Sequence, residues 1–220
     1  MFCAGMATKN ALIVWGGWEG HQPGECALIV EKMLLEEGFV VVRAQETSAF
    51  ADPDLVRFDL IVPIFTMGKI MEAESKNLCA AVESGAGLAG FHGGMGDSFR
   101  ANTDYQFMTG GQWVAHPGNI ISYRVNIVDK TDPVTEGIED FDYESEQYYM
   151  HVDPSNHVLA TTTFSGEHCS WIKGAVMPVA WKRRHGHGKV FYSSLGHVAA
   201  EFVVPEMSMI LRRGMLWAAR

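Results

Sequence analysis

One histidine stands alone among small residues at a corner of this chain. His92 lies in Gly90-Phe91-His92-Gly93-Gly94, directly after the apolar run Leu88–Phe91. A reactive side chain flanked by glycines at a strand-to-helix turn has the form of a nucleophile elbow, where crowding excludes larger neighbours. Imidazole there could act as a general base, a metal ligand or a hydrogen-bond donor. Two other segments also end apolar runs with polar groups: Gly16-Gly17-Trp18-Glu19-Gly20-His21-Gln22-Pro23 and Ser194-Leu195-Gly196-His197. His116 opens a loop in Ala115-His116-Pro117-Gly118, because Pro-Gly marks a turn. Glu146 sits among tyrosines in Tyr143-Glu144-Ser145-Glu146-Gln147-Tyr148-Tyr149. A carboxylate so placed could line a pocket for hydroxyls or support a metal, or could simply be a solvated acid at a strand edge.

The elements that must position these groups alternate between strand and helix. Ala11–Trp15 reads as a buried parallel strand, Gly24–Glu37 as an amphipathic helix closed by Gly38, and Phe39–Val42 as the next strand. Leu60–Phe65 is a third strand, and Pro63 predicts that its end leaves the ladder. Glu72–Ser84 is a helix and Leu88–Phe91 the fourth strand. A short helix and loop are expected over Asp97–Gly111, then a half-solvated strand at Ile121–Val128, a strand at Val158–Thr163, and a hairpin from Pro178–Trp181 to Val190–Ser193. A helix beginning at Pro205 closes the chain, with Met207, Ile210, Leu211, Gly214 and Ala218 toward the sheet. This order predicts a single α/β domain over 11–220 with a mainly parallel central sheet and right-handed crossovers, and an N-terminal extension over 1–10 in which Met6 could be an alternative start. Ligands of such sheets bind beyond the carboxyl ends of the strands. That rule gathers His21, His92 and His197 at one edge.

Composition removes several function classes. The chain has 220 residues, 47% of them hydrophobic, enough to build a core. Its net charge of −9 repels phosphate backbones, so nucleic acid is not the expected partner. No apolar run approaches the roughly 20 residues that cross a bilayer, so no membrane is expected either. Cys3, Cys26, Cys79 and Cys169 form no C-x-x-C pair, which fits free thiols in a reducing cytoplasm. There is no P-loop and no G-x-G-x-x-G after a strand, so no nucleotide is expected.

The segments 16–21, 90–94, 110–118, 146–149 and 188–197 together resemble the ThuA-like (trehalose utilisation) family, over residues 11 to about 217. The resemblance implies the flavodoxin-like, class I glutamine amidotransferase-like fold, with a late hairpin. In those amidotransferases the elbow carries Cys, paired with a His and with a carboxylate two residues after it. Here the elbow residue is His92, and residue 199 is Ala199. The attacking thiolate is missing, so glutaminase activity is not expected. The family implies carbohydrate catabolism, with a partner dehydrogenase that oxidises a sugar hydroxyl to a 3-keto group, and hence acid–base processing of a keto-disaccharide such as 3-keto-trehalose. On this reading His92 and His197 are the acid–base pair. His21, His116 and Glu146 hold a divalent metal, zinc suiting an N/O ligand set. Trp18, Glu19, Gly93 and Tyr148 contact the sugar. Met and Trp side chains of the last helix could pair two subunits. A non-catalytic sugar-binding or regulatory module is the competing reading, and an amide hydrolase using Ser98 a third.

Overall fold

The computed structural model describes residues 8–220; the expected extension over 1–10 lies mostly outside the described residues, as does Cys3. The apolar run after Lys9 forms β1 (Asn10–Gly17), followed by α1 (Pro23–Glu36), β2 (Val40–Ala44), β3 (Leu60–Thr66), α2 (Glu72–Glu83), β4 (Gly87–Phe91), α3 (His92–Gly96) and α4 (Thr103–Thr109). Seven strands come next: β5 (Gly111–Ala115), β6 (Ile120–Ile127), β7 (Phe141–Glu146), β8 (Tyr149–Val152), β9 (His157–Thr163), β10 (Val176–His185) and β11 (Gly188–Ser193). The chain ends in α5 (Pro205–Ala218), which starts at the proline as expected.

Nine strands form one sheet in the order β2-β1-β3-β4-β11-β10-β9-β6-β7, and β5 pairs with β8 in a small second sheet. The sheet is mixed, which corrects the expectation of a mainly parallel one. Pairs among β2, β1, β3, β4 and β11 are parallel, whereas β11–β10, β10–β9, β9–β6 and β6–β7 are antiparallel. The reason is legible in the connections. A parallel neighbour needs a crossover of a dozen or more residues, usually a helix. No α-helix lies between Thr109 and Pro205, so the strands in that stretch pair by turning back.

Pro63 also behaves differently from the expectation. β3 pairs with β1 through Val14↔Pro63 to Gly17↔Thr66, so its end stays in the ladder on that side. On the other side, pairing with β4 stops at Ile61↔Leu88. A proline removes one donor, and hence weakens one flank of a strand rather than both.

Strand alternation splits the core into two layers. Ala11 and Ile13 face α1 and α5, packing with Val30, Leu34, Ile210, Leu211 and Met215, while Leu12 and Val14 face Phe50, Leu78 and Val82. Met207 and Met215 of α5 point into the core, and Trp217 packs beneath the Lys182 and Lys189 ammonium groups, so most of the Met/Trp surface of this helix serves the chain itself. Among the described residues no helix is long and apolar enough to cross a membrane.

Candidate functional site

Three parallel strands deliver their histidines to the same rim. β1 ends at Gly17 and runs into a 3-10 turn, Glu19–His21. β4 ends at Phe91, and His92 follows with φ +43°, a left-handed conformation that a residue with a Cβ adopts only at a cost. This is the backbone of an elbow. Two hydrogen bonds pin it: the Tyr192 hydroxyl donates to the His92 carbonyl at 3.0 Å, and His92 Nδ1 meets the Ser194 carbonyl at 2.8 Å. β11 is followed by Gly196 (φ +94°) and His197. The antiparallel half completes the ring. Glu146 is the last residue of β7, and His116 follows β5.

The Nε2 atoms of four histidines converge on the Glu146 carboxylate. His92 Nε2 lies 3.1 Å from Oε2, His116 Nε2 3.6 Å from Oε1, His197 Nε2 3.9 Å from Oε1, and His21 Nε2 4.0 Å from Oε2. The tightest subset is His21, His92, Glu146 and His197, whose ligand atoms all lie within 4.8 Å of one another. His92 and His197 are stacked with ring centroids 5.2 Å apart, and the His21 ring stands edge-on to both.

The hydrogen bonds fix what His92 can do. A carbonyl only accepts, so His92 Nδ1 must carry the proton in its bond to Ser194. In a neutral ring Nε2 then presents a lone pair toward a carboxylate 3.1 Å away. Two lone pairs at that distance repel unless a cation, proton or metal, lies between or beside them. His21 is braced similarly, with Nδ1 2.8 Å from Thr66 Oγ1. Bracing of Nδ1 with Nε2 aimed at a common point is how proteins orient metal-ligating histidines. The Nδ1 atoms of His116 and His197 are buried and have no partner among the described residues.

Electrostatics follow from this crowding. Burial lowers the His21 pKa, and the neighbouring His92 and His197 lower it further, to about 3, against a smaller opposing pull from Glu146. Burial also lowers His197, with His92 acting in the same direction. Burial would raise Glu146, but the hydrogen bond that a protonated His92 gives it and the charges that His92, His197 and His116 carry when protonated outweigh this and hold the acid at about 2. Glu146 is therefore ionised in a pocket that disfavours charge on His21, an arrangement matched to a cation supplied from outside.

His21, His116, Glu146 and His197 form one wall of a cleft of about 350 Å³, in the range of small-molecule sites, with His92 buried behind them. Trp18, Met67, Asn119, Ile120, Tyr148 and Trp113 also line it. Tyr148 stacks on His92 at 4.1 Å, and Arg100, held by both oxygens of Asp97, lies over the Trp113 ring at 4.6 Å. A larger groove, about 510 Å³, runs beside β2 and the turn at 45–52 and carries none of these groups.

His21, His92, His116, Glu146 and His197 thus meet, and Trp18 and Tyr148 border them. Glu19 is exposed and does not line the cleft. Gly93 is buried against His21: a Cβ there would stand 2.5 Å from its Cε1. Ser98 is sealed, donating to the Gly94 carbonyl and accepting from Tyr105. Among the described thiols, Cys26 lies behind the site, donating to the His21 carbonyl at 3.4 Å, and burial pushes it up to about 12. A second group of ligand types, Asp129, Asp132 and His157, is occupied by protein charges, since Lys182 bonds Asp132 and His157 bonds Asp129. Sequence reasoning missed Thr66, Asp97, Arg100, Trp113 and Ser194. Thr66 ends β3, so the strand-end rule that selected His92 applied equally to it.

Residues 10–218 match the model of the ThuA family, described as trehalose utilisation. Among solved structures, a ThuA-like protein from Bacteroides uniformis superposes with TM-score 0.81 at 18% identity, covering 99% of this chain and 94% of that one. One from Parabacteroides merdae gives 0.80 at 17%, covering 96% and 90%. A β-galactosidase from Rahnella sp. R3 gives 0.56 at 17% identity, with 93% of this chain matched to 32% of that enzyme. At these identities the structures share the fold. No curated protein matches the sequence.

Proposed function

Because the chain belongs to the ThuA family of trehalose utilisation, and so to carbohydrate metabolism, we propose that it is an enzyme that processes a keto-disaccharide such as 3-keto-trehalose at a metal-assisted acid–base centre. The observation that carries this reading is the meeting of His92 Nε2 and Glu146 Oε2 at 3.1 Å with the other imidazole nitrogen already committed to a carbonyl. That geometry calls for a cation, and three further Nε2 atoms point at the same carboxylate.

The donor set fits a divalent ion, with imidazole nitrogen and carboxylate oxygen suiting zinc. His21, His92, His197 and Glu146 would hold it, being the mutually closest ligand atoms. This redistributes the roles suggested by sequence, which gave the metal to His21, His116 and Glu146. His116 is the more exposed ring, stands at the cleft and has an unpartnered Nδ1, which suits a group that carries protons. When bound, the ion would supply Lewis-acid stabilisation of negative charge on the sugar's carbonyl oxygen.

The chain's own residues do the rest. A C2–H bond beside a C3 carbonyl is acidic, and His116 removes that proton. The electron pair forms the enediolate; its collapse makes the C1–C2 double bond and breaks the bond from C1 to the leaving oxygen, which takes a proton from the imidazolium. Trp18 and Trp113 offer flat faces for sugar rings, Tyr148 packs behind His92, and Asn119 and Arg100 offer polar contacts at the cleft wall.

The experiment is metal analysis of the purified protein together with turnover of 3-keto-trehalose by the wild type, His92→Ala and His116→Ala. We expect a near-stoichiometric divalent ion, retained in His116→Ala but lost in His92→Ala, and conversion lost in both. Tight sugar binding with no conversion by the wild type would favour a sugar-binding module. Protein that neither contains nor responds to any divalent ion would remove the metal from the reading.

A further inference from the structure

One carboxylate outside the cleft ties together the two chain segments that carry Glu146 and His197. Glu201 lies in the 3-10 turn Ala199–Val203, four residues beyond His197. Its Oε2 accepts the backbone N–H of His197 at 2.9 Å and the Tyr143 hydroxyl, and its Oε1 accepts the Ser145 hydroxyl at 2.8 Å. The Tyr143 oxygen in turn accepts the backbone N–H of Gly196 at 3.1 Å. Tyr143 and Ser145 belong to β7, on the far side of the sheet order from β11, and Ser145 immediately precedes Glu146. Because strand side chains alternate, pinning Tyr143 and Ser145 toward Glu201 turns Glu146 the other way, into the cleft. The same oxygen fixes the backbone of His197.

We propose that Glu201 is a positioning residue that sets the separation of Glu146 and His197, standing in for the carboxylate that position 199 lacks but acting through backbone and strand rather than through the imidazole. The inference rests on the metal-assisted reading only for what the pair holds; the clamp itself is geometry. Three donors share the two Glu201 oxygens, whereas Gln offers one oxygen and an NH2 that can only donate, so Glu201→Gln removes the charge and forces at least one of these bonds to reverse or break while keeping the side chain's shape.

The test uses the full chain stripped of metal. Zn²⁺ is titrated into wild type, Glu201→Gln and Ser145→Ala, and ¹⁵N-labelled histidine signals are recorded without metal. We expect folded Glu201→Gln to bind Zn²⁺ roughly 10- to 100-fold more weakly, the range for loss of a group that orients ligands, with Ser145→Ala in between. The His197 ring signals should move in both variants and those of remote His157 should not. A merely structural role would lower the thermal midpoint without changing the affinity of the folded protein or the His197 signals; that result overturns the proposal. If wild type binds no Zn²⁺, the metal reading fails and the His197 signals alone decide the clamp. Should Glu201→Gln fail to fold, unchanged affinity and unchanged His197 signals in Ser145→Ala overturn it.

Discussion

Gly93→Ala tests the site with a single methyl group. Gly93 sits in the first turn after the elbow, and its missing side chain leaves the space that the His21 ring fills. An added Cβ would lie 2.5 Å from His21 Cε1, 2.7 Å from His21 Nδ1 and 3.0 Å from Thr66 Cγ2. Ordinary carbon contacts fall near 3.5 Å or more, so the ring must retreat by about 1 Å. The retreat breaks the 2.8 Å bond between His21 Nδ1 and Thr66 that aims Nε2. Overpacking of this kind costs about 1–3 kcal/mol of stability, whereas misplacing a reacting group by about 1 Å costs on the order of 100-fold in rate. The expected pattern is a modest fall in thermal midpoint with Zn²⁺ affinity and turnover reduced by about two orders of magnitude. Gly24→Ala serves as the control, because its Cβ would meet only the Trp15 ring at 3.3 Å, in helix α1. A Gly93→Ala protein that binds Zn²⁺ and turns over like wild type would refute the claim that His21 is held by this contact.

The pH dependence of stability follows from the same crowding. His21 takes up its proton near 6.5 when unfolded but only at about 3 when folded, and Glu146 near 4.5 when unfolded but at about 2 when folded. In both windows the unfolded chain binds more protons, so the metal-free protein should lose stability as pH falls below about 6.5, first through His21 and then below about 4.5 through Glu146 as well. Thermal midpoints across that range should fall less steeply in His21→Gln; an identical slope would contradict the shift. Glu146→Gln removes the shared negative charge, and its Zn²⁺ affinity, measured by titration, should drop by at least 100-fold while the far-ultraviolet spectrum stays native. Away from the cleft, Lys182→Met leaves the buried Asp132 without its counter-charge, with only the Val134 backbone N–H donating to its carboxylate. Chemical denaturation should show a loss of about 3–5 kcal/mol, with Zn²⁺ affinity unchanged.

The parallel half of the fold was legible because its strands are continuous apolar runs: Ala11–Trp15, Leu60–Phe65 and Leu88–Phe91 all became strands, and the His92 elbow took the positive φ that its glycine neighbours suggested. The antiparallel half was less so. β5, β7 and β8 are short and carry polar residues at alternate or irregular positions, so Gln112, Asp142 and Glu144 hide the pattern that pairing later supplies. For the same reason Glu146 read as one acid among several. Only its place at the end of β7, opposite Ile120, separates it from Glu144, which is exposed. The partition of roles among the histidines was not legible at all, because it depends on which Nδ1 atoms find Thr66 and Ser194, contacts 45 and 102 residues away in sequence.

The elbow is where sequence and geometry meet most closely. On a scaffold of this shape a thiol at position 92 would face an imidazole at 197. Here two imidazoles stack at 5.2 Å instead, and a carboxylate arrives from the opposite, antiparallel half to stand between their Nε2 atoms. Two stacked rings without that carboxylate would repel if both gained a proton; with it, they share one negative partner, held ionised against the burial that pushes it toward its neutral form. Glu146 is thus the group that makes a histidine at the elbow workable. Replacing His92 by Cys should not give a reactive nucleophile, because Glu146 would then disfavour the thiolate beside it. A measured thiol pKa below 7 in His92→Cys would show that the carboxylate does not govern the site.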